Sequence, residues 1–270
     1  MVGLEFPDVS PIIFSIGPVA IRWYSMAYLV GIILAWWLIK RNIEKYNLSL
    51  DINKLDDLVF YITLGIIIGG RLGYVLFYGG NAFWNNPVQI LEVWKGGMSF
   101  HGGVLGVIIG AYWFAKKFKY KFLGITDLVV LYAPIGIFCG RLANFINDEL
   151  WGRVTDVAWA VRFPNGGYLP RHPSQLYEAF FEGIVLFVVL NWLWKYKYVR
   201  ERSGLVSALF VLLYGVFRVA MERFREPDEQ LGFLLADLTM GQILSLPLMV
   251  LGLGLAFYLC CCKKVSMPLK

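Results

Sequence analysis

Residues Asp57–Tyr78 read DLVFYITLGIIIGGRLGYVLFY, a run in which only Asp57 and Arg71 are charged. A helix needs about 20 predominantly apolar residues to cross a bilayer, and this run supplies them. Six more segments of the same character are present: Val19–Ile39, Gly97–Ala115, Leu123–Phe145, Ser174–Trp194, Gly204–Met221 and Gly241–Cys262. None alternates as a strand would, which argues against a membrane β-barrel. Composition agrees. The chain is 58% hydrophobic and 16% charged, against about 25% charged in soluble domains. Its mean hydropathy is +0.61. Ten Trp within 17% aromatics suit two membrane–water interfaces. The expectation is an all-α polytopic membrane protein with seven transmembrane helices, forming a single integral domain over residues 1–270. Residues 146–173, rich in Gly, Pro, Asn and Trp, are expected to form a small head between the fourth and fifth spans.

The basic residues orient this arrangement. The first, third and fifth loops carry Lys40, Arg41, Lys45 and Lys54, then Lys116, Lys117, Lys119 and Lys121, then Lys195, Lys197, Arg200 and Arg202. The C-terminal tail adds Lys263, Lys264 and Lys270. The opposite side holds only Lys95, Arg153, Arg162, Arg171, Arg223 and Arg225. Basic loops stay in the cytoplasm, so the N-terminus is expected outside and the C-terminus inside. The net charge of +6 is thereby explained without a nucleic-acid partner. No basic stretch precedes the first apolar run, so no cleaved signal peptide is expected. Four cysteines in apolar settings and two histidines suggest neither a disulfide framework nor a metal site.

Four arginines remain, Arg22, Arg71, Arg141 and Arg218, all inside or at the edge of an expected span. An ionisable group in a bilayer is costly unless it faces the bundle interior and is paired, or snorkels to the interface. In the expected orientation all four fall in outer halves, as do Tyr24 and His101, while Glu149 and His172 lie in the head. Structural accidents would scatter between both halves. One polar site open to the outer side accounts for the clustering.

Local spacing adds detail. Tyr214, Arg218 and Glu222 recur every four residues and share a helix face. Arg141 and Asn144 share another, leading to Asn147 and Glu149. Glu178 and Glu182 pair below Gln175, and Glu182, with Glu222, reads as a structural ion-pair partner. Two arginines converging on one cavity suit an oxyanion, because the planar guanidinium fork binds phosphate in bidentate fashion.

The glycines after His101 (Gly102, Gly103, Gly106 and Gly110) read as helix-packing residues. Ser99 and His101 do not form a catalytic pair, since residues two apart on a helix diverge. His101 itself suits either a proton acceptor or a structural hydrogen-bond donor. Asp127, after Thr126, reads as a helix cap, and Cys260–Cys262 as the apolar end of the last span. These residues together describe a membrane protein with an outward-facing anion site, which fits a lipid-modifying enzyme or a transporter of an anionic solute.

One stretch narrows the choice. Gly140–Gly152, GRLANFINDELWG, resembles the signature of the prolipoprotein diacylglyceryl transferase family. Five further segments are similar to that family: GGRLGYVLFY at Gly69–Tyr78, GGMSFHGGVLG at Gly96–Gly106, RHPSQLYEA at Arg171–Ala179, YGVFRVAMERFREPD at Tyr214–Asp228 and LTMGQILSLP at Leu238–Pro247. The resemblance covers about residues 18 to 250. It departs at Ser25, where the family has Gly, and at Arg223, where an aromatic is usual.

The resemblance implies transfer of a diacylglyceryl group from phosphatidylglycerol to the lipobox cysteine of a prolipoprotein, with glycerol phosphate leaving, at the periplasmic side of the bacterial inner membrane. The substrate brings the thiol, so no enzyme cysteine and no cofactor are implied. Arg141 and Arg218 match the family's essential arginines and His101 its proposed base. Tyr24, Arg71, Asn144, Glu149, Gly152, Tyr214 and Glu222 match substrate-binding positions. Two hydrophobic substrates imply a cavity open sideways to lipid, which the head would cover, with Gly166–Gly167 as its hinge.

Overall fold

The computed structural model of the chain describes residues 3–7, 9–16, 19–78, 86–93, 96–227 and 238–261. In chain order the elements begin with β1 (Leu4–Glu5), β2 (Ile12–Ile16), β3 (Val19–Arg22) and α1 (Trp23–Tyr46). After a 3₁₀ turn at Ile52–Lys54 come α2 (Leu55–Tyr78), a second 3₁₀ turn at Pro87–Leu91, α3 (Phe100–Phe118), α4 (Phe122–Val130) and α5 (Ala133–Ile146). Then follow β4 (Val161–Arg162), β5 (Pro170–Arg171), α6 (Ser174–Glu178), a π-helical stretch at Ala179–Val185 and α7 (Leu186–Trp194). The last elements are α8 (Lys197–Arg200), α9 (Leu205–Met221) and α10 (Met240–Cys261).

Every apolar segment read from the sequence is helical over most of its length. Among the described residues, Trp23–Tyr46, Ile52–Tyr78, Ser174–Trp194 and Met240–Cys261 are long and apolar enough to cross a membrane. A fifth crossing arises if α4 and α5 count as one bent span, while α9, at 17 residues, is shorter. The break before α5 has a local cause. Pro134, at its start, has no N–H to donate and its ring conflicts with the preceding turn. The Leu131 carbonyl beside the break accepts instead from Asn191 Nδ2, at 3.2 Å.

Three expectations change. The first helix begins at Trp23, because Val19–Arg22 pairs with Ile12–Ile16 as an antiparallel ribbon and satisfies its backbone there. Arg22 ends that strand, exposed. Asp127 is no helix cap: α4 starts at Phe122, so Asp127 lies mid-helix and buried. The all-α reading missed two small sheets, the β2–β3 pair and β1-β4-β5, whose β1 runs parallel to β4 and β5 antiparallel to it. Strands of two to five residues leave almost no periodicity to detect. Lys95, Cys262, Lys263, Lys264, Lys270 and Asp228 lie outside the described residues.

The described residues fall into two compact units, one containing residues up to 35 with those from 129 onward, the other residues 36–128. In the second unit α2 and α3 pack through glycines. A methyl on Gly65 or Gly69 would collide with the Gly106 or Gly102 carbonyl, and one on Gly110 with that of Tyr61. Backbones this close are the small-residue packing expected in lipid. Ser99 caps α3, its Oγ accepting from Gly102 N at 3.3 Å. In the first unit the short sheet rests on Phe6, Phe145 and Phe163, whose ring centroids lie 5.5–5.8 Å apart.

Candidate active site

The first unit gathers most of the residues singled out above. Arg141 projects from α5, Arg218 and Glu222 from α9, and Glu178 and Glu182 from the α6–π junction. Arg141 Nε lies 3.0 Å from Glu178 Oε2, and its Nη2 3.3 Å from Glu182 Oε2. Arg218 Nη1 lies 2.7 Å from Glu178 Oε1 and 3.8 Å from Glu182 Oε1, and its Nη2 lies 2.6 Å from Glu222 Oε2. Arg225 approaches Glu178 Oε1 at 3.9 Å. The side chains of Glu178 and Glu182 are 0% exposed, those of Arg141 and Arg218 16% and 12%. The two carboxylates are thus fully buried and the two arginine side chains nearly so. Charges this deep persist only when paired, and removing one partner leaves the other uncompensated. Tyr214 stands among Glu182, Arg141 and Arg218, its ring stacked on Phe210 at 5.9 Å.

A hydrogen-bonded network adjoins this cluster. Asn144, one turn after Arg141, donates through Nδ2 to the Tyr24 hydroxyl and, at 2.8 Å, to Glu149 Oε1. Gln175, one turn before Glu178, donates to the Glu149 carbonyl at 2.7 Å. Asn144 and Gln175 therefore tie the loop after α5 to α5, which holds Arg141, and to α6, which holds Glu178.

Gly152 serves packing. Its N–H donates to the His172 carbonyl at 2.9 Å, its carbonyl accepts from Arg171, and a methyl there would come within 2.5 Å of the His172 and Phe224 carbonyls. His172 lies in the adjoining cluster, its Nδ1 3.2 Å from the Tyr177 hydroxyl, which accepts from Trp159 at 2.6 Å. Burial lowers the His172 pKa below 6.5 and raises that of Asp148 above 3.8.

Arg71 and His101 belong to the second unit. Arg71 is buried and donates to four carbonyls, of Gln89 at 2.5 Å, Ile90 at 2.9 Å, Gly96 at 2.6 Å and Gly97 at 3.1 Å. It shapes the segment after α2. His101 stands exposed in the first turn of α3, its ring edge-on to Phe100 at 5.7 Å.

Sequence reasoning overlooked two contributors. Thr239 Oγ1 donates to Glu222 Oε1 at 3.0 Å, and Thr239 with Gln242 forms a reciprocal cap at the start of α10. The Thr-x-x-Gln spacing at 239–242 is a legible capping box. Nothing local shows that its hydroxyl also orders a site carboxylate. Arg225, which sequence counting placed on a loop, is buried against Glu178.

Apolar helices enclosing a buried arginine–glutamate centre define a helical membrane protein with charge concentrated at one internal site. Comparison with known proteins sharpens this: residues 11–258 match prolipoprotein diacylglyceryl transferase, and the chain belongs to that family. Similar relatives are named phosphatidylglycerol–prolipoprotein diacylglyceryl transferase. That of Rickettsia felis is 52% identical over 250 residues, covering 92% of this chain and 96% of the relative. That of Rickettsia akari is 51% identical over 249 residues, with 92% and 96% covered, and that of Rickettsia bellii 50% over 252, with 93% and 96%.

Proposed function

We propose that this chain moves the diacylglyceryl group of phosphatidylglycerol onto the lipobox cysteine of a prolipoprotein signal peptide. The observation that carries this reading is the junction of Arg141 and Arg218 on the one buried carboxylate of Glu178, in a chain of this family. The thiol sulfur forms a bond to the glyceryl carbon while that carbon's bond to the phosphate oxygen breaks. Glycerol phosphate departs with the bonding electrons. A thiol of pKa about 8.5 is mostly protonated at neutral pH, so the transfer needs a base for the thiol proton, the part the family resemblance gives to His101. The phosphodiester becomes a monoester, so negative charge grows on the phosphate oxygens as the bond breaks. Preorganised guanidiniums stabilise that charge more in the transition state than in the ground state.

In this proposal Tyr24, Asn144 and Glu149 orient the lipid head group, and Tyr214 and Glu222 hold Arg218. Gly152 acts indirectly, by fixing the backbone beside His172 and Phe224, and Arg71 by shaping the segment after α2. The chain crosses the bacterial inner membrane seven times, N-terminus outside and C-terminus cytoplasmic. Residues 146–173 form a periplasmic head covering a laterally open cavity. Gly166–Gly167 is the proposed hinge of that head, and Gly167 sits at a φ of +82°, which glycine adopts without strain.

The test uses purified protein in liposomes containing phosphatidylglycerol and a peptide with a lipobox cysteine, read by mass spectrometry. A gain of one diacylglyceryl group, lost when the peptide cysteine becomes Ser, establishes the reaction. An unmodified peptide with well-folded protein refutes it, and accumulation of an anionic solute in the vesicles would then identify a transporter.

A further inference from the structure

We infer that Glu178, which the sequence places merely beside Glu182, is a positioning residue that also sets how tightly the site holds phosphate. The inference rests on the transfer reaction proposed above. Glu178 is 0% exposed and splits its two oxygens between the two arginines, Oε2 to Arg141 and Oε1 to Arg218, with Arg225 at 3.9 Å. One side chain therefore holds the guanidiniums of α5 and α9 at a fixed separation. It does so from the last residue of α6, where the helix passes into its π-helical stretch, an irregularity frequent at functional sites.

The charges add a second consequence. Arg141, Arg218 and Arg225 stand against Glu178, Glu182 and Glu222, so the formal charges of this cluster cancel. The substrate phosphodiester carries one negative charge, whereas a released phosphomonoester, with a second pKa of about 6, carries nearly two at neutral pH. Uncompensated buried guanidiniums would hold the product more tightly than the substrate. Tight binding of a ground state does not speed the chemical step and delays release. Glu178 offsets that attraction while keeping both guanidiniums aimed.

The test compares wild type, Glu178→Gln and Glu178→Asp, each purified in detergent, by kcat and KM for phosphatidylglycerol and by calorimetric binding of glycerol phosphate. Glu178→Gln keeps the shape and loses the charge. It should lower kcat on the order of 100-fold and tighten glycerol phosphate about tenfold, as expected when the charge offsetting the two guanidiniums is removed. Glu178→Asp keeps the charge but is too short to span both arginines. It should lower kcat while binding glycerol phosphate as wild type does. Activity falling only in proportion to the folded fraction, with unchanged Kd, overturns the inference. A slow Glu178→Gln with wild-type Kd overturns the charge offset. If Glu178→Gln does not insert, Glu178→Asp decides: unchanged kcat overturns the positioning role and reduced kcat with unchanged Kd supports it. If the wild-type chain transfers no lipid, the reaction reading fails, and the change in glycerol phosphate Kd still decides the charge role.

Discussion

In the proposed reaction Arg141 and Arg218 act through side-chain shape as much as through charge. Arg141 divides separate nitrogens between Glu178 and Glu182, and Arg218 does so between Glu178 and Glu222 with Glu182 further off, a pattern a single ammonium cannot reproduce. Arg141→Ala and Arg218→Ala should abolish lipid transfer in membranes where the protein still inserts. Arg141→Lys and Arg218→Lys should retain 1% or less of it, a loss of roughly 10²–10³-fold. Transfer assays normalised to inserted protein check this, and near-normal activity of either Ala variant would end the phosphate-clamp role. Arg141→Ala leaves Glu182 only a 3.8 Å contact with Arg218, and Arg218→Ala takes the arginine from Glu222, so thermal stability should fall by about 3–5 kcal/mol. Arg141 and Arg218 were legible in the sequence because an arginine within an apolar run stands out. Glu178 was legible as half of an i, i+4 pair, but its bridging of two arginines was not, since those lie 37 and 40 positions away.

At the scale of elements, two features invite measurement. The α2–α3 interface depends on glycines whose added methyls would strike backbone carbonyls, and backbone cannot step aside as a side chain can. Gly106→Val should therefore cost about 1–3 kcal/mol, read as a lower melting temperature in detergent, whereas Gly103→Ala, with open space at its Cβ, should change little. The second feature is His172 in the region between α5 and α6. Its pKa in the fold lies below 6.5 because burial disfavours the cation. As pH drops through about 6.5 the unfolded chain takes up a proton that the folded chain refuses, so stability falls on acidification. Asp148 works oppositely, since burial favours its protonated form in the fold. Hydrogen exchange of residues 147–173 between about pH 7 and about pH 5.5 should show the loss, and His172→Gln should flatten it. An unchanged slope in that variant would assign the pH response elsewhere.

For the whole molecule, the charge asymmetry predicts orientation. A membrane-impermeant thiol reagent applied to spheroplasts should label a cysteine introduced near residue 10, outside, and spare one introduced near residue 120. Equal protection of both would overturn the N-out topology. The sequence by itself determined that this is a helical membrane protein, because about 20 apolar residues in a row have few other stable solutions in lipid. It determined the family as well, since GRLANFINDELWG and its companion segments preserve chemistry at fixed spacing. Only the tertiary structure decided which charges meet. Arg71 and Arg141 look alike in sequence, each an arginine in an apolar helix. Arg71 is satisfied by four backbone carbonyls, and Arg141 by carboxylates from a helix more than thirty residues further along the chain. Burial obliges each guanidinium to find partners, but chain folding selects them, and that selection separates an arginine held by backbone carbonyls from one held by buried carboxylates.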